Sequence, residues 1–292
     1  MEQITFEGYG GLRLVGDSLG PADGPPVLLL HGGGQTRHAW GTTAQVLGDG
    51  GWRVVSLDLR GHGDSEWDDG GDYTLDAFAG DVRIVARAMT ATDGPAPVLV
   101  GASLGGISTL IAQGEDDGSG PIASAVVLVD VAHRIEPVGV ERIAEFMTAH
   151  LDGFDDLEAV ADAVAAYSPH RPRPTDLSGL KKNVRQRDDG RWYWHWDPRF
   201  LTGRLGSRDE TRSAMASSTR LADATRALGV PTLLVRGRMS DLLSEEGARE
   251  LLELVPHARF ADVAGAGHMV AGDRNDAFND AVVEFLTDLR AG

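Results

Sequence analysis

Ser103, His268 and a carboxylate downstream of the serine are the side chains in this chain whose types could together make an alcohol reactive. Acylation of a serine needs a base to take its proton. It also needs an acid that orients the base and stabilises its charged form. Ser103 stands in Gly101-Ala102-Ser103-Leu104-Gly105-Gly106, a G-x-S-x-G pattern. The apolar run Val98-Leu99-Val100 precedes it, and Ile107-Ser108-Thr109-Leu110-Ile111-Ala112 can start a helix after it. Strand, G-x-S-x-G and helix describe a nucleophile elbow, a strained turn that lifts the hydroxyl clear of the sheet. Gly101 and Gly105 are needed there as residues without a Cβ. In a glycine-rich chain the same pattern also describes a plain flexible turn, so the test is whether an acid and a histidine follow in order.

His268 lies in Ala264-Gly265-Ala266-Gly267-His268-Met269, just after the last apolar strand, where a loop can lean over the end of a central strand. Asp241 follows the 232–237 strand in Gly237-Arg238-Met239-Ser240-Asp241-Leu242, and Glu245 and Glu246 fall in the next helix. The order Ser103, Asp241, His268 is the serine, acid, histidine order that an elbow of this kind uses. Asp130, at the end of the 125–131 strand, is the fallback acid. The oxyanion that forms on acylation needs two preorganised donors. Leu104 N–H is one. The other is expected from His31-Gly32-Gly33-Gly34, with Gly33 favoured over Gly32 and Gly34. His31 itself reads as a structural hydrogen-bonding residue.

The elements that must position these groups follow from hydrophobic patterning. Short strands at 4–6 and 12–15 flank Gly8-Tyr9-Gly10-Gly11 as a hairpin. Fully apolar runs at 27–30, 98–100 and 125–129, with strands at 52–58, 231–237 and 258–263, alternate with helical patterns. One helix runs over 75–89, with Leu75, Phe78, Val82, Val85 and Met89 on one face and Thr74 or Asp72 as its cap. Others are expected over 245–254 and 277–289. Continuous apolar strands between helices predict an α/β fold, its mostly parallel sheet covered on both faces. The rhythm breaks after Ala132. Residues 133–222 carry helical segments at 140–150 and 157–167, a proline cluster, and Trp192-Tyr193-Trp194-His195-Trp196. The expected organisation is a core of 1–132 and 223–292 with a mainly helical lid, 133–222, inserted between its two parts.

Composition narrows the partners. Over 292 residues the formal net charge is -17, which argues against nucleic acid and anionic membrane surfaces. There is no cysteine, hence no disulfide, thiolate metal site or cysteine nucleophile. No metal-ligand spacing, P-loop or dinucleotide fingerprint is present, so neither metal nor cofactor is expected. The N-terminal residues show no signal-peptide pattern and no apolar run reaches the ~20 residues of a membrane span, so a cytoplasmic location is expected. The oligomeric state is left open.

The set His31-Gly32-Gly33-Gly34 with Trp40 downstream, Asp58-Leu59-Arg60-Gly61-His62-Gly63-Asp64-Ser65, the Ser103 elbow, Asp241 and Gly267-His268 resembles the lid-bearing serine hydrolases of the α/β-hydrolase fold. That group includes carboxylesterases, cofactor-free haloperoxidases, epoxide hydrolases and carbon–carbon bond hydrolases. The resemblance implies the α/β-hydrolase fold and hydrolysis of a small carboxylic ester or related acyl compound, through an acyl-enzyme on Ser103. Related epoxide hydrolases carry aspartate at the elbow, and serine here turns the chemistry toward acyl carbons. Carbon–carbon hydrolases usually have proline after the glycine run, where this chain has Gln35-Thr36-Arg37. Perhydrolysis and carbon–carbon hydrolysis by the same triad stay as alternatives, as does a ligand-binding receptor on a hydrolase scaffold. Trp40, Trp192, Trp194, Trp196 and Met269 are the expected pocket residues. The tryptophans of the 192–196 run could equally glue the lid to the core. Arg37 and His38 could meet a polar substrate group or pair with acids.

Overall fold

The computed structural model describes residues 1–90, 94–115, 117–118, 120–169, 172–201, 219–270 and 275–291. Strands β1 (Glu2–Glu7), β2 (Arg13–Leu19), β3 (Pro26–Leu30), β4 (Arg53–Leu57), β5 (Val98–Ala102), β6 (Ala125–Val129), β9 (Thr232–Gly237) and β10 (Arg259–Val263) form one sheet. Its order is β1-β2-β4-β3-β5-β6-β9-β10. The β1–β2 and β2–β4 pairs are antiparallel and every other pair is parallel.

The strand sequences dictate this burial. Alternate residues point to opposite faces, and here both faces are apolar. Leu28, Leu30, Leu99, Val126, Leu128 and Leu234 enter one cluster, with Phe78, Val82 and Val85 of α2 (Leu75–Met89) and Ile107 and Leu110 of α3 (Leu104–Gly114). Val27, Leu29, Val98, Val100, Val127 and Val235 enter the other, with Ala44 and Leu47 of α1 (Gly41–Asp49) and Phe278 and Val282 of the closing helix Asn275–Ala291. Each such buried aliphatic or aromatic side chain contributes roughly 1.5–3 kcal/mol of transfer free energy. Thr74 caps α2 by accepting a hydrogen bond from Ala77 N–H. Among the described residues no helix is long and apolar enough to cross a membrane.

The segment after β6 contains α4 (Pro137–Thr148), α5 (Leu157–Tyr167) and a two-stranded antiparallel hairpin of β7 (Val184–Gln186) and β8 (Trp192–Trp194). The hairpin was not legible as strands in the sequence. The helix Thr219–Arg226 packs on α3. From the cap, Met147, Phe154, Val160, Trp194, Trp196 and Phe200 join the same apolar cluster as α2 and α3.

Candidate active site

Strand register brings the groups of interest to one level. Ala102 pairs with Val129, and Val129 with Val235, so Ser103 and Asp130 leave neighbouring parallel strands at the same carboxyl-terminal edge. On the far side of β9, Val263 pairs with Gly237, and the chain from Val263 carries His268 back toward that edge. Ser103 has φ 47 and ψ -112 and immediately precedes α3. For a residue with a side chain this conformation costs on the order of 1–3 kcal/mol. The turn is tight enough to demand its glycines. A Cβ on Gly101 would lie 2.6 Å from the Gly105 carbonyl carbon, and one on Gly105 would lie 2.4 Å from Leu30 O.

Asp130 is the second non-glycine residue with positive φ, at 50. It is fully buried. Its Oδ1 accepts from Gly237 N–H at 2.9 Å, and its Oδ2 accepts from Ser240 Oγ at 2.5 Å and from His268 Nδ1 at 2.7 Å. An imidazole that gives its one N–H, at Nδ1, to a carboxylate keeps a lone pair on Nε2.

Asp241, expected as the acid, is elsewhere. Its carboxylate pairs with Arg142 of α4 at 2.7 Å and is about one-third exposed. The correction has a physical reason. Ser240, one residue earlier, turns its hydroxyl inward to Asp130, while the Asp241 backbone packs against Gly139 of α4 and its side chain points to the cap. Asp241 therefore helps dock α4, and Asp130 orients the imidazole. The readable signal was an acid directly after a wholly buried strand.

The glycine loop after β3 has its amides assigned one by one. Gly32 N–H donates to Gln35 Oε1 at 3.0 Å and Gly34 N–H to His62 Nε2 at 3.1 Å. Gly105 N–H donates to His31 O. The Gly33 and Leu104 amides make no such bond among the described residues. Two buried histidines hold this loop. Leu59 N–H donates to His31 Nε2 at 3.0 Å, which leaves His31 Nδ1–H to donate to Gly32 O at 2.8 Å. His62 likewise accepts at Nε2 and donates from Nδ1 to Arg60 O at 2.9 Å. Burial lowers the His31 pKa from 6.5 to about 4, against the hydrogen bond to Gly32. The ring is therefore neutral at pH 7.

The cap covers this loop with residues the sequence did not single out. A Cβ on Gly33 would lie 3.4 Å from Phe200 Cζ, and one on Gly34 would lie 2.9 Å from Met147 Cε. Phe200 also packs edge-on to His62, with ring centroids 5.0 Å apart. No local signal marks Phe200 or Met147, since each is one apolar residue among many.

The expected aromatic wall is distributed differently. Trp40 packs against Phe278 under the opposite face of the sheet, ring centroids 5.9 Å apart, and is a core residue. Trp194 lies between Phe146 and Phe154 inside the cap. Trp196 is buried where its backbone pairs with His62, and Trp192 is half-buried where it pairs with Phe154. Trp192 and Trp194 therefore hold the cap together, and Trp196 joins it to the core. Met269 is half-buried beside His268. Arg37 pairs with Asp17 at 3.0 Å, with Asp64 at 2.9 Å, and with Asp58, so it belongs to a buried ion network. His38 Nδ1 lies 3.9 Å from Asp17 in the same network.

Comparison with known proteins agrees with this geometry. A curated esterase, Rv0045c of Mycobacterium tuberculosis, is 30% identical over 97% of this chain and 87% of its own length. A solved structure of that esterase superposes with a TM-score of 0.72 at 27% identity, covering 98% of this chain and 92% of the other. The 3-hydroxybutyrate-oligomer hydrolase of Cupriavidus necator is 28% identical over 85% of this chain and 84% of its own. The structure of E-2-(acetamidomethylene)succinate hydrolase, at 22% identity, shares the fold with a TM-score of 0.82 over 98% of this chain and 100% of that one. Residues 27–281 match the model of the alpha/beta hydrolase family, and the chain belongs to that family.

Proposed function

We propose that the protein is a serine esterase acting on small carboxylic esters through an acyl-enzyme. The observation that carries this reading is the buried Asp130–His268 pair at the strand edge from which the strained Ser103 emerges. Ser103 Oγ attacks the ester carbonyl and His268 Nε2 takes its proton. Asp130 holds the Nδ1–H tautomer and stabilises the imidazolium. The free amides of Gly33 and Leu104 receive the oxyanion. His268 then protonates the leaving alkoxide, and water resolves the acyl-enzyme by the same route in reverse. Phe200 and Met147 bring apolar cap surface against Gly33 and Gly34, which favours a short apolar acyl group. The similarity to an esterase and to an oligoester hydrolase supports an ester over other acyl compounds.

The test is p-nitrophenyl acetate and butyrate turnover by the wild type and Ser103→Ala, with fluorophosphonate labelling of both. Ester turnover should fall by roughly 10³-fold or more in the variant, and labelling should vanish. Equal rates would remove Ser103 from the reaction. A wild type that neither turns over esters nor takes the label would favour a binding role.

A further inference from the structure

An open cleft of about 740 Å³ lies on the seam between cap hairpin and core, and neither Ser103, Asp130 nor His268 lines it. Its core wall is Gln3 of β1, Arg13 and Val15 of β2, Gly63–Ser65 and Trp67, and its cap wall is Arg185, Arg187 and Tyr193–His195. In the sheet order β2 is three strands from β5, roughly 14 Å at ~4.8 Å per strand. The cleft is therefore a separate place from the catalytic corner.

Its charge runs against the molecule. The chain carries a net charge of -17, and most described arginines sit against a carboxylate. Arg13 and Arg187 form no ion pair among the described residues. The Arg13 guanidinium donates to the Asp64 backbone carbonyl, at 3.3 Å, while its backbone amide donates to Glu66 Oε2. The Arg187 guanidinium lies over the Tyr193 ring, 3.9 Å from its centroid. The third, Arg185, shares Asp64 with Arg37. The lining itself thus holds three guanidiniums against one carboxylate, Asp64, with Asp189 outside it at the Tyr193 hydroxyl. Behind the wall, Trp194 Nε1 and His195 Nε2 are buried with no hydrogen-bond partner among the described residues, His195 Nε2 lying 3.8 Å from Asp64 Oδ1. Native structures rarely leave such groups unsatisfied. Trp67, Tyr193 and Trp194 supply flat apolar surface on either side.

We propose that this cleft binds a small anion carried on a flat ring, an aromatic carboxylate or an aryl phosphate. Arg13 from the core and Arg187 from the cap grip the charge, and the ring lies along Tyr193 and Trp67. Such a ligand touches both walls, so binding also fastens the hairpin to the core. The inference does not depend on Ser103 being the nucleophile.

Calorimetric titration of the full chain with phthalate, phenyl phosphate and inorganic phosphate tests it. One of the two aromatic anions should bind saturably at one site, and the better one identifies the carboxylate or the phosphoryl group as the recognised anion. Added salt should weaken that binding. Arg13→Gln/Arg187→Gln should lose roughly tenfold or more in affinity, whereas Ser103→Ala and the distant Arg259→Gln should bind as the wild type does. Arg187→Lys, which keeps the charge on an exposed side chain, should fall between wild type and Arg187→Gln, and unchanged thermal midpoints exclude misfolding as the cause. No saturable binding of either aromatic anion, or undiminished binding by the double variant, overturns the proposal. Inorganic phosphate binding as tightly as phenyl phosphate overturns its aromatic half.

Discussion

The corner holding Ser103, Asp130 and His268 and the seam joining cap to core differ in what fixes them. The corner is set by backbone. Two residues with positive φ, glycines with no room for a Cβ, and main-chain donors such as Gly237 N–H leave its side chains one arrangement. The seam mixes kinds of contact. Arg185 makes an exposed ion pair with Asp64, Tyr73 Oη donates to the buried Asp197 Oδ2 at 2.5 Å, and the main chain joins in, with Gly63 N–H donating to His195 O at 2.7 Å. Trp196 is buried there, its backbone paired with His62. A corner built from backbone tolerates little change, while the exposed ion pairs of the seam tolerate much, since such pairs contribute only about 0–1 kcal/mol.

The sharpest way to break this contrast is to exchange the two candidate acids. Asp130→Ala should lower kcat for p-nitrophenyl butyrate by roughly 10³–10⁴-fold. Asp241→Ala should leave kcat near wild type and change stability by less than about 1 kcal/mol. The opposite result would return the acid to Asp241. Gly105→Ala comes next. A Cβ facing Leu30 O at 2.4 Å forces the elbow apart, and denaturant unfolding should show a loss of roughly 3 kcal/mol.

Stability should also depend on pH through the glycine loop after β3. The folded pKa of His31 is lowered by burial to about 4, below the ordinary 6.5 of an imidazole. The unfolded chain therefore binds the extra proton first. Stability is full above about pH 6.5 and declines as the pH falls toward 4, by up to about 3 kcal/mol from His31. His195, lowered to about 4 by burial and then by Arg185, adds in the same direction. Denaturant midpoints measured between pH 7 and 4 should show this slope, and His31→Gln should flatten it. The smallest effect belongs to the seam. Arg185→Ala removes an exposed pair with Asp64 and should cost under about 1 kcal/mol, with ester turnover little changed.

Reading the elbow from the chain succeeded because it is a local object. Strand, glycines, serine and helix are contiguous, and a Cβ at Gly101 or Gly105 has nowhere to go whatever the rest of the fold does. The glycine loop was legible for the same reason, and only the structure shows that Gln35 and His62 occupy the Gly32 and Gly34 amides. The acid was harder. Asp241 and Asp130 both follow apolar strands, and the one local difference, that Asp130 comes directly after its strand and Asp241 four residues after, does not say which of them meets His268. The tryptophans of the 192–196 run stayed open between pocket and packing because an aromatic run says only that surface will be buried, not against what. Phe200 and Met147 carried no signal at all.

The order of apolar strands and helices, the serine in its glycine turn and the histidine after the last strand were determined by the sequence alone. Each rests on periodicity or on steric limits within a few residues. Which carboxylate meets His268, which face each tryptophan turns to, and where unneutralised arginines gather were decided only by the tertiary structure. Those outcomes depend on strand order and register, which bring Asp130, Ser240 and His268 together across more than a hundred residues of chain.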